Sequence, residues 1–193
     1  MPTRVSEIFF DLGRARAPDV LYDAPHWYAC LTRSRHEQKV DSLLRRQAIE
    51  TYLPTTVRVS QWKDRRKLVH FPLFPGYVFC SFTLHQLMQV VSTHGVARVV
   101  STGGYPTPIP ATEIESIRVV QRAVPDGTPE ISPAALLQKG NWVRVATGPF
   151  NGVQGMIIER RGRKRVLVSI SVIGQALEVD IGAADLVPIP DPL

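Results

Sequence analysis

The side chains best suited to chemistry are few and widely separated. His26, His36, His70, His85 and His94 lie far apart along the chain, and no serine, cysteine or carboxylate constellation accompanies them. Catalysis is therefore not expected, and no cofactor or metal site is read from the sequence. Cys30 and Cys80 fall inside strand-like runs without metal-ligand spacing, which fits two buried thiols in a reducing compartment. What remains is cationic chemistry. Arg33, Arg35, His36 and Lys39 cluster at the start of one helix, and Arg58, Lys63, Arg65, Arg66 and Lys67 surround Trp62 with Asp64 as the only acid. Five of the six residues from Arg160 to Arg165 are basic. Cations interleaved with an aromatic suit a polyanion such as nucleic acid, while charged hairpin tips also serve solubility.

The other stretch with a defined chemistry is apolar. Phe71-Pro-Leu-Phe-Pro-Gly-Tyr-Val-Phe79 holds four aromatics and two prolines in nine residues. Proline fixes φ and donates no backbone hydrogen bond, so Pro72 and Pro75 favour a strand entrance over a sheet interior. Gly76 frees the backbone just after that rigid point. The expectation is a rigid, partly exposed aromatic patch of the kind that anchors protein interfaces.

These segments need a scaffold. The 193 residues are 44% apolar and 21% charged, with a net charge of +6; this is a globular composition, enough for one or two domains. The charge is uneven: residues 26–123 hold thirteen basic and six acidic side chains, and 1–25 hold three and four. No apolar run reaches membrane-span length and no secretory signal is evident, so a cytoplasmic protein is expected. Residues 1–25 read as a flexible tail. A strand over His26–Leu31 leads to a helix whose start is read as a Ser34–Glu37 capping box, with Val40, Leu43, Leu44 and Gln47 on one face. Short strands broken at Pro54, a basic hairpin tip, the aromatic stretch, a helix capped by Thr83, a strand over Val96–Ser101 and a helix through Ile114, Ile117, Val120 and Val124 complete an α+β unit.

Residues 124–138, with Pro125, Gly127, Pro129 and Pro133, read as a linker. Beyond them short alternating strands and close turns predict a small all-β barrel over 139–193.

Two motifs occur in order: Leu73-Phe-Pro-Gly-Tyr-Val-Phe79 in the α+β unit, then Gly148-Pro-Phe-Asn-Gly152 with Gly155 opening the barrel. Together they resemble the NusG family over residues 26–189. Ser34-Arg-His-Glu-Gln-Lys-Val40 and Pro72-Leu-Phe-Pro75 are most similar to specialised paralogues of the UpxY and RfaH antiterminator type. The resemblance implies an NGN domain over 26–123, an antiparallel sheet with flanking helices, and an SH3-like KOW barrel over 139–193. It implies a monomeric bacterial elongation or antitermination factor that grips the clamp helices of the largest RNA polymerase subunit. Phe74, Pro75, Tyr77 and Phe79 match the clamp-helix patch, with Tyr28 bordering it. Arg33, Arg35, His36 and Lys39 match the stretch that meets non-template DNA in such relatives, and Lys63, Arg65 and Arg66 add to the cationic surface. Val172, Ile173 and Gln175 fall where NusG contacts ribosomal protein S10 and Rho. Ile173 replaces an aromatic and Gln175 an arginine, which argues against Rho. Gln86, Leu87 and Met88 likewise depart from the polar triplet placed against the polymerase gate loop. Val166–Ile173, rich in β-branched residues, predicts a stable barrel rather than one that refolds to helices. A ribosome-associated or free RNA-binding KOW protein is the alternative the same basic loops allow.

Overall fold

The structure is a computed structural model that describes residues 17–61, 66–123, 130–133, 142–160, 163–181 and 185–190. It is α+β, with antiparallel pairing in every sheet and an all-β C-terminal part. Two compact units result, one holding the chain up to Leu53 with Pro75–Ile109, the other Pro54–Phe74 with the chain from Pro110 onward. The hairpin and the last helix thus group with the barrel, and the division does not follow the 124–138 segment.

In the first unit, helix α1 (Val20–Asp23) precedes strand β1 (His26–Thr32), helix α2 (Glu37–Arg46) and strand β2 (Glu50–Tyr52). Strand β5 (Tyr77–Phe82), helix α3 (Leu87–Val91) and strand β6 (Val96–Val99) follow, with the short pair β7 (Ser101–Thr102) and β8 (Tyr105–Pro106). The main sheet runs β2-β5-β1-β6, so β1 is flanked on both edges and buries Tyr28, Ala29 and Cys30 in succession. One sheet face packs Tyr28, Cys30, Val78, Cys80 and Phe82 against Val40 and Leu44 of α2. Both thiols are free and buried, and burial, followed by the neighbouring Cys30, pushes Cys80 well above the ordinary thiol range. Ala17 and Leu21 join this core, so 17–25 are not the tail expected from sequence; two apolar side chains at helical spacing suffice to dock them. Residues 1–16 lie outside the described residues.

Helix α2 ends in a left-handed residue. Ala48 has φ 60, and Ile49 N–H donates to Leu44 C=O at 3.1 Å, the closing bond of a Schellman turn in which glycine is the usual occupant.

The second unit contains the hairpin of β3 (Thr55–Gln61) and β4 (Arg66–Pro72) and helix α4 (Ala111–Ala123). Its six-stranded sheet is built from β9 (Glu130–Pro133), β10 (Trp142–Val145), β11 (Gln154–Arg160), β12 (Arg163–Ile170), β13 (Gln175–Asp180) and β14 (Leu186–Pro188), in the order β14-β10-β11-β12-β13-β9. The expected linker therefore contributes a strand: Glu130–Pro133 pairs with β13, satisfying backbone groups that a free linker would leave to water. Helix α4 buries Ile114, Ile117 and Val120 along one stripe. Its Glu113 carboxylate accepts hydrogen bonds from Ser171 N–H (3.2 Å) and hydroxyl (2.8 Å), and its Ser116 hydroxyl accepts from Gln154 N–H at 3.1 Å. Burial raises the Glu113 carboxyl above its ordinary range, and the two Ser171 bonds oppose that shift.

Within the barrel Glu178 is buried and its carboxylate accepts from Arg165 at 2.8 Å. One of the basic residues read as a hairpin-tip cation is thus a structural partner. No helix among the described residues is long and apolar enough to cross a membrane.

Candidate functional site

The aromatic stretch enters β5 through Pro75-Gly76-Tyr77. Gly76 has φ +85, a conformation that favours glycine, and its backbone is held from two sides. Its N–H donates to the Glu37 carboxylate at 2.8 Å, while its C=O accepts from Thr32 N–H at 2.8 Å and from the Thr32 hydroxyl at 3.3 Å. Glu37 was expected to complete a capping box with Ser34. It does not: the residue before α2 is His36, no side chain caps the helix, and the carboxylate reaches Gly76 instead. A charged acceptor on a backbone N–H forms one of the stronger hydrogen bonds available, which accounts for Glu37 being buried. Sequence spacing missed Glu37 and Thr32 as supports of this turn because the partner lies 39 residues away in the Glu37 case. The other cap was legible: Thr83 and Gln86 form a capping box, with Thr83 N–H donating to Gln86 Oε1 at 3.1 Å.

The exposed aromatic patch expected from sequence is smaller than anticipated. Pro75 is exposed and Tyr77 half-buried, but Phe74 and Phe79 are 1% and 0% exposed. Phe79 sits opposite Tyr52 in the β2–β5 register, its ring 6.4 Å from that of Tyr52. Leu73 N–H donates to Pro54 C=O at 2.8 Å, closing the hairpin base where Leu73 and Phe74 turn inward. Tyr28 does not border a surface at all. It is fully buried, its ring 4.5 Å from Phe82, and burial pushes its phenol up to about 12. Tyr28 projects from the sheet face that packs Cys30, Val78, Cys80 and Phe82 against α2, so the core covers its ring. Phe71, by contrast, is exposed.

The cationic residues around the start of α2 are accessible. Arg33, Arg35 and Lys39 are exposed and His36 half-buried, and Arg35 takes φ 59 in the tight turn. A non-glycine residue held there marks a turn fixed by its surroundings. Lys63 and Arg65 lie outside the described residues; Arg66 belongs to the backbone of β4. In the barrel, Val172 and Ile173 sit in the single turn Ser171–Ile173, closed by Gly174 at φ 64, and Gln175 starts β13; all three side chains are half-buried. Gln86 is occupied by the Thr83 cap, and Met88 is exposed. Among the described residues no group of His, Cys, Asp and Glu could hold a metal ion.

The chain thus combines an antiparallel α+β unit, a glycine turn ahead of β5 and a six-stranded β unit. The family model described as "Transcription termination factor nusG" matches residues 25–118. The Transcription termination/antitermination protein NusG of Yersinia pestis is 30% identical over 140 residues, covering 68% of this chain and 74% of the relative. That of Helicobacter pylori strain J99 is 29% identical over 171 residues, covering 80% and 93%. A solved structure described as "Domain interaction in Thermotoga maritima NusG" is 24% identical, covers 86% of this chain and 93% of its own, and has a TM-score of 0.39. The chain belongs to the NusG family of transcription termination/antitermination factors, a family of transcription factors and not of enzymes.

Proposed function

We propose that this chain acts as a bacterial elongation and antitermination factor of the specialised paralogue type, binding the clamp helices of RNA polymerase and favouring the closed clamp. Contacts made only in the closed state stabilise that state by their differential free energy, and pausing falls as its population rises. Pro75 and Tyr77 are the surface contacts of the proposed patch, while Phe74 and Phe79 are buried. Arg33, Arg35, His36 and Lys39 meet single-stranded non-template DNA through its phosphates, and Lys63, Arg65 and Arg66 add cationic charge for the same partner. Val172, Ile173 and Gln175 are the barrel's contacts for a protein partner such as ribosomal protein S10.

The observation that carries the reading is the pinned turn. Glu37 and Thr32 hold Gly76 in a left-handed conformation that presents Pro75 and Tyr77, and such preorganisation lowers the ordering cost of binding. Binding of the purified chain to an isolated clamp-helix segment, read by calorimetry, tests it. Tyr77→Ala is expected to weaken binding by more than about 1 kcal/mol as an interface anchor. Equal affinity of Tyr77→Ala and wild type would remove the polymerase reading.

A further inference from the structure

We propose that His94, paired with His36 in the cationic lobe at the start of α2, takes up a proton on binding, so that the grip of that lobe on single-stranded DNA phosphates strengthens as the pH falls. The inference rests on the nucleic-acid part of the proposed function and adds a residue, His94, that sequence spacing left isolated.

The two rings come from distant parts of the first unit, His36 from the residue before α2 and His94 from the turn before β6, yet their centroids are 5.9 Å apart. The approach is built into the backbone. Arg33 N–H donates to Gly95 C=O at 2.8 Å, and Gly95 has φ +99. A Cβ on Gly95 would stand 2.9 Å from Val40 Cγ2 and 3.1 Å from His36 Cδ2, so only glycine lets the turn lie this close to α2. Thr93 anchors the same turn, its hydroxyl donating to Gln89 C=O at 3.0 Å and accepting from Gln47 Nε2 at 3.1 Å.

The His36 tautomer follows from its partner. Nδ1 lies 2.9 Å from Ser34 C=O, and because a carbonyl only accepts, Nδ1 carries the hydrogen and the bond fixes that edge of the ring. Exposed His94 faces like charge. Lys39 foremost, then loss of hydration, then Arg33 and His36 hold its pKa below the ordinary histidine value. Arg35 and Arg98 are exposed on the adjoining loop and on β6. The acids carried by α2 are engaged elsewhere, Glu37 with Gly76 N–H and Asp41 with the Thr51 hydroxyl and Arg45.

Surrounding cations favour the neutral imidazole of His94 in the free protein; a phosphate laid among them offsets that repulsion, so binding takes up protons. By linkage, each proton taken up strengthens binding by up to about tenfold per pH unit, in the range where histidine titrates. Arginine and lysine alone would give an affinity that does not change between pH 5.5 and 8.

The test is fluorescence anisotropy of a labelled 12-nucleotide oligo-dT with the full chain, from pH 5.5 to 8 at constant ionic strength. Wild type is expected to bind roughly tenfold or more tightly at pH 5.5 than at pH 8. His94→Asn should lose at least half of the slope of log Kd against pH, and His36→Asn with His94→Asn together should flatten it. His94→Arg should bind tightly across the whole range. Strong wild-type binding that is independent of pH, or a slope retained in the double variant, overturns the proton-linked pair and leaves the nucleic-acid reading standing. Absence of wild-type binding at every pH overturns both.

Discussion

Gly155→Ala is the sharpest test of how the barrel is built. Gly155 lies in β11, and a Cβ there would stand 2.2 Å from Leu167 C=O, 2.6 Å from Val166 Cγ1 and 3.0 Å from Leu167 C, whereas ordinary contact begins at 3.4 Å. The backbone of β12 must move by about 1 Å, since a carbonyl in a strand cannot swing aside as a flexible side chain does. A hydrogen bond lengthened by that much passes out of useful range. Losing one or two ladder bonds at about 1 kcal/mol each, with about 1–3 kcal/mol of overpacking strain, gives roughly 2–5 kcal/mol. For a chain of this size the melting temperature should fall by roughly 5–15 °C. Thermal melts of the full chain, with amide exchange followed in β11 and β12, read the effect. A Gly155→Ala chain that melts within a degree of wild type, with protection in those strands intact, would refute the close-approach argument.

Ala48→Gly should stabilise the chain by about 0.5–1 kcal/mol in urea denaturation, because glycine occupies φ 60 without the steric cost an L-side chain carries. Tyr28→Phe should be neutral or stabilising by up to about 1 kcal/mol, since the buried hydroxyl finds no hydrogen-bond partner among the described residues; a loss of polymerase binding without a loss of stability would contradict its assignment to the core. Glu178→Ala should cost about 2–4 kcal/mol by leaving Arg165 without its buried carboxylate, again read by urea denaturation. Glu113, with its raised pKa, contributes most below the ordinary carboxylate range and loses that contribution as the pH rises through the raised value. Glu113→Gln, which keeps an acceptor for Ser171, should therefore melt at least as high as wild type at pH 7 and lose its advantage near pH 4.

Local pattern and tertiary demand separate cleanly in this chain. The helix face of Val40 and Leu44, the break at Pro54, the Thr83 cap and the all-β character of the C-terminal part are legible because each depends on neighbours within one element. The Ser34–Glu37 box has the right residues at the right spacing, yet a Gly76 N–H without a partner in its own turn captures the carboxylate, a competition no local window contains. The aromatic stretch was found but its exposure was misjudged: alternation in β5 separates Tyr77 and Phe79 from Val78, and cannot tell that Phe79 is covered while Tyr77 stays half-open. The pairing of His36 with His94 was invisible for the same reason, since 58 residues separate them and Gly95 is what lets them meet.

The strand Glu130–Pro133 has a consequence for how the C-terminal part can be handled. It occupies one border of the six-stranded sheet, so β13 is an interior strand flanked on both sides over Gln175–Glu178. A fragment cut at residue 139, where sequence alone would place the start of the barrel, strips that border and leaves a row of open backbone groups ready to recruit a strand from another molecule. Such a fragment should self-associate with increasing concentration, while one begun before Glu130 should stay monomeric.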